Sequence, residues 1–180
     1  MIEIMLDIET LSTANNAVIM TIGAIKFNRN KTLKKLEDYE TFYRRIDMNS
    51  CLDIGLDIDS DTLSWWDQQD EKSKIEIFDV NNRININQAL EEFSEFYKGS
   101  RRVWSNGDDF DCVILSEAFK RCNMQIPWHF WETRDCRTIM DLGNVYLKNI
   151  NYKGKEHHAL HDCYKQLIAL YKSLENLKLN

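Results

Sequence analysis

The chain is poor in residues that punctuate or staple a fold: one proline, six glycines, and five cysteines that form no Cys-x-x-Cys pair. Cys51, Cys112, Cys122, Cys136 and Cys163 are odd in number and widely spread. Neither a disulfide framework nor a structural zinc site, which needs clustered ligands, is expected; the thiols read as reduced and mostly buried. No run approaches the roughly 20 apolar residues of a membrane-spanning helix. The start, Met1 to Asp7, lacks the basic segment and apolar run of a secretory signal, so a cytoplasmic protein without a membrane partner is expected. An excess of positive charge is missing too. A net charge of −6 over 180 residues counts against binding a polyanion through a basic surface. The objection weakens if several carboxylates hold divalent cations, which cancel their charge. Lys34-Lys35, Arg44-Arg45 and Arg101-Arg102, with Lys148, Lys153 and Lys155, would then be free to line a groove.

What is present reads as one domain over residues 1–180, with no linker, repeat or low-complexity segment and enough length for a substantial core. Residues 2–8 alternate loosely and read as a strand. Residues 17–27 are rich in β-branched side chains and read as a buried strand. After turn chemistry at Asn28-Arg29-Asn30, residues 37–46 read as a third, so an antiparallel meander is expected. The period then changes to helical. Asp59-Ser60-Asp61 offers N-caps for a short helix with Leu63, Trp65 and Trp66. Further helices are expected over 87–98, 109–121, 137–147 and 158–175, with a short strand at 103–104 and a strand or turn at 132–136. The order implies an α/β fold with a mixed central sheet flanked by helices.

Three short segments sit where a strand or helix begins or ends. Asp7-Ile8-Glu9 closes the first strand, where residues two apart share a face about 7 Å apart along the chain. Two carboxylates so placed can share a divalent cation. Asn106-Gly107-Asp108-Asp109-Phe110-Asp111 crosses from a strand into a helix. His157-His158-Ala159-Leu160-His161-Asp162 opens the last helix. Each alone is common in proteins without such chemistry. Together and in this order they are specific.

The three segments, Asp7-x-Glu9, Phe110-Asp111 and His157-x-Ala159-x-x-Asp162, resemble the motifs of the DEDDh 3′→5′ exonucleases, a ribonuclease-H-like superfamily. The resemblance spans residues 5 to 163. In the sister class a Tyr replaces the catalytic His one position nearer the final Asp; that position here is His158, and His157 stands where the His class requires it. Finer features resemble the branch with the phage exodeoxyribonuclease and the mycobacterial polyadenylate-degrading exoribonuclease: Asp7-x-Glu9-Thr10-Leu11, Trp65-Trp66 followed by Gln68 and Gln69, Trp104-Ser105-Asn106-Gly107, Pro127-Trp128, and Arg134-Asp135-x-Arg137-Thr138.

The resemblance implies a ribonuclease-H-like fold and two-metal-ion hydrolysis of nucleic acid with a free 3′ end. Asp7, Glu9, Asp111 and Asp162 would hold two divalent cations, Mg²⁺ or Mn²⁺, which prefer such oxygen ligands. His157 would act as the base, with His158 and His161 as bystanders. Aromatic rings that stack on bases are the usual sequence-tolerant grip on a 3′ end, and Trp65, Trp66, Trp104 and Trp128 are candidates. Adjacent Trp65 and Trp66 cannot both face one core. Leu11 is a candidate apolar wedge, Thr10 a contact to the 3′-terminal hydroxyl through its backbone amide, Asn106 a substrate contact, Arg137 a supporting residue and Asp135 structural. A homodimer is a further expectation, several relatives being dimers. Two other functions remain open at this point: a catalytically inactive nucleic-acid-binding protein of the same fold, and a metal-dependent endonuclease. The sugar of the substrate is open as well.

Overall fold

The computed structural model describes residues 1–179. Its strands, β1 (Ile2–Thr10), β2 (Ile19–Phe27), β3 (Glu40–Ile46), β4 (Arg83–Ile84), β5 (Ser100–Ser105) and β6 (Thr133–Asp135), form one sheet in the order β4-β3-β2-β1-β5-β6. The expected meander is there: β1 pairs antiparallel with β2, and β2 with β3. β5 lies parallel to β1, β6 parallel to β5, and β4 parallel to β3. The helices are α1 (Met48–Asp53), α2 (Ser60–Asp67), α3 (Glu71–Phe78), α4 (Ile86–Tyr97), α5 (Asp111–Arg121), α6 (Cys136–Leu142) and α7 (Ala159–Asn176). No helix among the described residues is long and apolar enough to cross a membrane.

Alternation along β1 divides its side chains between two cores. Ile4, Leu6 and Ile8 pack in one layer with Phe93 of α4 and Leu115 and Phe119 of α5. Met5 packs in the other with Cys136 and Met140 of α6 and Leu167, Leu170 and Leu174 of α7. By the same period, Asp7 and Glu9 continue the face of Met5. At the far end of that face Glu3 is also buried, yet it is fully partnered: Trp104 Nε1 donates to it at 2.7 Å, and Arg102 and Arg29 pair with it at 3.2 and 3.5 Å. α7 crosses β2 at Gly23, where a Cβ would overlap the backbone of Ala159 and Leu160. This close crossing seats the start of α7, and with it Asp162, against the carboxyl end of β1.

Three elements escape the sequence periodicity, α1, α3 and β4, because each is too short to show one. Their signals are local: Asp47 and Asp70 cap α1 and α3 by accepting two backbone N–H groups each. The helix expected over 137–147 stops at Leu142, because Gly143 and the positive-φ residue Asn144 (φ 54°) turn the chain. β3 starts at Glu40, three residues later than expected, since Leu36–Asp38 forms a 3₁₀ turn. Half of the residues in the basic pairs are spent on structure: Arg44 pairs with Glu92 at 2.5 Å, Arg45 with Asp79 at 3.2 Å, and Arg102 with Glu3.

Candidate active site

The carboxyl ends of β1 and β5 run out at the same edge of the sheet, the usual place for a ligand crevice between parallel strands. Asp7 and Glu9 project from β1 there. Asp111 is the first residue of α5 and Asp162 lies in the first turn of α7, so two helix N-termini with their partial positive charge point at the same spot. Asp7, Glu9 and Asp162 place ligand oxygens within 4.8 Å of one another. Asp111 stands beside this trio, one carboxylate oxygen accepting the Ile8 N–H at 3.1 Å. No Lys or Arg pairs with any of the four among the described residues.

Electrostatically the cluster is strained. Burial, then the charges of Asp111, Glu9 and Asp162, raise the Asp7 carboxyl well above the ordinary range. Burial, then Asp162 and Asp111, do the same to Glu9. Burial lifts Asp111 to about 7 and raises Asp162. The polar contact to Asp7 is a neutral amide: Gln166 Nε2 donates to Asp7 Oδ1 at 2.7 Å. Unlike Glu3, none of these acids is ion-paired: Lys165 near Asp162 and Arg137 near Asp111 lower them, but burial outweighs both. An all-oxygen, thiolate-free donor set with uncompensated negative charge fits a hard divalent cation.

His157 lines the same cleft, which encloses about 420 Å³. Its backbone is in the left-handed region (φ 53°), an uncommon state for a non-glycine residue. The ring is held edge-to-face by Trp65 and Trp66, with centroids 5.0 and 5.6 Å away. The next residue, His158, donates its backbone N–H to Asp162 Oδ2 at 3.2 Å.

A model of the family described as 3′-5′ exoribonuclease Rv2179c-like domain matches residues 2–173. The chain belongs to this family of 3′-5′ exonucleases. The exodeoxyribonuclease of Enterobacteria phage T4 is 21% identical over 210 residues, covering 97% of this chain and 89% of the phage protein. Among solved structures, the nuclease domain of 3′hExo, a DEDDh family member bound to rAMP, superimposes with a TM-score of 0.64 at 12% identity, over 97% of this chain and 92% of that one. Exonuclease I of E. coli in its zinc-bound complex with single-stranded DNA gives 0.65 at 13% identity, over 99% of this chain but 41% of that larger one. These likenesses establish the ribonuclease-H-like fold of the DEDDh nucleases.

The enzyme distributes its candidate substrate contacts unevenly. A second recess adjoins the acidic cleft, sharing Ile8, Glu9 and Phe110 with it and adding Thr10, Trp65 and Trp66. The adjacent tryptophans split as their spacing requires: Trp66 is 1% exposed, its Nε1 donating to the Thr10 carbonyl at 2.9 Å, while Trp65 is 43% exposed. The Thr10 hydroxyl is engaged with the Ser12 carbonyl. Asn106 lines the acidic cleft. Leu11 does not form an exposed wedge: its side chain is fully buried and its N–H donates to Val18 O at 3.0 Å, because the chain turns inward after β1. Trp104 and Trp128 are likewise core residues, unavailable for stacking. Asp135 is structural, capping α6 through Arg137 N and Thr138 N and accepting the Gly107 N–H.

Sequence reasoning missed Gln166, Lys165 and Glu156, which also line the cleft. Gln166 carried a signal, since it lies one helical turn beyond Asp162 on the same face. Phe110, just before Asp111, borders both recesses.

Proposed function

We propose that this chain removes nucleotides from the 3′ end of single-stranded nucleic acid, or of a single-stranded 3′ overhang, releasing nucleoside 5′-monophosphates. The observation that carries this reading is the convergence of Asp7, Glu9 and Asp162 within 4.8 Å, none of them in an ion pair with a Lys or Arg among the described residues. Asp7, Glu9 and Asp162, with Asp111 alongside, would hold two Mg²⁺ or Mn²⁺ ions. Such ions, when bound, make water a better nucleophile and offset charge on the reacting phosphate.

The protein's own groups supply the rest. His157 lines the cleft, where its imidazole would accept the proton of the attacking water. The rings of Trp65 and Trp66 fix its orientation. Gln166 holds Asp7 in place through its 2.7 Å hydrogen bond. The terminal nucleoside occupies the recess beyond Glu9, its base against exposed Trp65 and the edge of Phe110.

The test is a pair of single-stranded oligonucleotides, one labelled at the 3′ end and one at the 5′ end, incubated with Mg²⁺ or Mn²⁺. Immediate release of labelled mononucleotide from the first, and a descending ladder from the second, are expected. A covalently closed circular strand should resist. Cleavage of the circle would replace this reading with an endonuclease. No hydrolysis of DNA or RNA with either metal would leave a binding protein of this fold.

A further inference from the structure

Three recesses join end to end along the carboxyl edge of the sheet. The acidic cleft shares Ile8, Glu9 and Phe110 with the Trp65 recess. It shares Asn106 and Leu147 with another recess of about 460 Å³, between α6 and the turn Leu147–Asn149. That volume is within the range of small-ligand pockets, about 300–1,000 Å³, and suits one nucleotide.

The two outer recesses differ in charge. The Trp65 recess is lined by the carboxylates of Glu9, Asp59 and Asp61 and by no Lys or Arg. The far recess carries Arg137 and Lys148 against a single carboxylate, Asp141. On the 5′ side of the scissile phosphate a nucleic-acid strand brings a further phosphate with each nucleotide, whereas beyond the 3′-terminal nucleoside there is none, since the chain ends in a hydroxyl. The acidic recess therefore suits the end of a strand and disfavours its continuation, while the basic one suits the continuation.

The side chains of the far recess have the forms this needs. Tyr146 is 52% exposed, with Lys148 Nζ 5.9 Å from its ring centroid, so an aromatic face and a cation stand together. Arg137 is anchored by one N–H to the Asn106 carbonyl at 2.8 Å, and a guanidinium has further N–H groups to offer. Met140 and Leu147 make the floor apolar.

We propose that the recess formed by Tyr146, Lys148 and Arg137 binds the nucleotide on the 5′ side of the scissile phosphate, which sets the polarity of the strand across the acidic cleft. The inference rests on the nuclease reading above and adds the route of the strand. The 3′-terminal nucleoside lies towards Trp65. The penultimate base stacks on Tyr146, and its phosphate meets Lys148 and Arg137.

The experiment compares two substrates with wild type, Tyr146→Ala and Lys148→Ala. One is the p-nitrophenyl ester of thymidine or uridine 5′-monophosphate, which fills the terminal position and replaces everything on the 5′ side by nitrophenol. The other is a single-stranded decamer of the matching sugar. Tyr146→Ala should raise the decamer KM roughly tenfold, the size of one lost base stack. Lys148→Ala should weaken decamer binding and make its logarithmic salt dependence shallower by about 0.7. Both variants should hydrolyse the ester at the wild-type rate. An unchanged decamer KM, or equal losses on ester and decamer, overturns the subsite. Wild-type enzyme inactive on both substrates is a different failure, one that removes the nuclease reading and the subsite with it.

Discussion

Gln166 on α7 donates its side-chain amide to Asp7 on β1 at 2.7 Å, joining residues 159 positions apart in the floor of the acidic cleft. The other end of that amide, Oε1, is buried without a partner. The contact orients the carboxylate that stands at the centre of the cluster. Groups that orient a metal ligand commonly change metal affinity by about 10- to 100-fold. Gln166→Ala should raise the Mg²⁺ or Mn²⁺ concentration for half-maximal hydrolysis at least tenfold, with smaller loss of turnover at saturating metal. A metal titration of initial rates measures both.

Asp7→Asn keeps the shape and the hydrogen bond from Gln166 while removing one of the mutually repelling charges. Hydrolysis should fall to background. In chelator, however, the variant should melt higher than wild type, by about 2–4 °C for each kcal/mol of repulsion relieved. Adding divalent cation should stabilise wild type more than the variant. Thermal melts with and without metal decide it, and full activity in Asp7→Asn would remove the metal assignment.

The pH dependence has a definite sign. Asp7, Glu9, Asp111 and Asp162 all titrate higher in the folded protein than in an unfolded chain, Asp111 at about 7. Between the ordinary carboxylate value near 4 and the raised folded values, the native state holds more protons, so stability falls as pH rises. Metal-free protein should therefore melt higher at pH 5.5 than at pH 8. Cations compete with those protons, so metal affinity should increase over the same window. Calorimetry at the two pH values, with chelator and then with Mg²⁺, should show the difference shrink or reverse.

His157→Ala should lower kcat by about 10²–10⁴-fold, the usual contribution of a positioned base, and leave the KM for a single-stranded oligonucleotide close to wild type. Steady-state kinetics separate the two constants. A KM effect alone would make His157 a substrate contact.

The paired tryptophans should behave oppositely. Trp66→Ala empties a buried site and should cost roughly 3–5 kcal/mol of stability, as for other large core truncations. Trp65→Ala, half in solvent, should melt near wild type yet raise the substrate KM by roughly an order of magnitude through loss of stacking. Denaturant melts and kinetics on the same two proteins test the split.

Much of the candidate site is local and therefore readable along the chain. A period of two puts Asp7 and Glu9 on one face of β1 wherever that strand lies. A cap-like turn puts Asp111 at the start of α5, and one helical turn separates His158 from Asp162. Backbone geometry alone enforces these relations. The meander and the helices with strong apolar stripes, α4 and α7, were legible for the same reason.

The tertiary structure decided which side chains meet and which are covered. Asp111 reaches the backbone of Ile8 across 103 positions, and nothing local specifies that distance. Leu11, Trp104 and Trp128 looked like contacts for a strand end, but neighbouring elements bury them, whereas Trp65 stays in solvent beside its buried neighbour. Arg44, Arg45 and Arg102 looked free and are committed to ion pairs. Exposure is a property of what packs against a residue, and only the assembled layers determine it. The chain by itself determined the acids, their spacing and the elements that carry them. The closeness of those acids, and the three joined recesses around them, came from α7 crossing the sheet at Gly23 and from β5 lying parallel to β1.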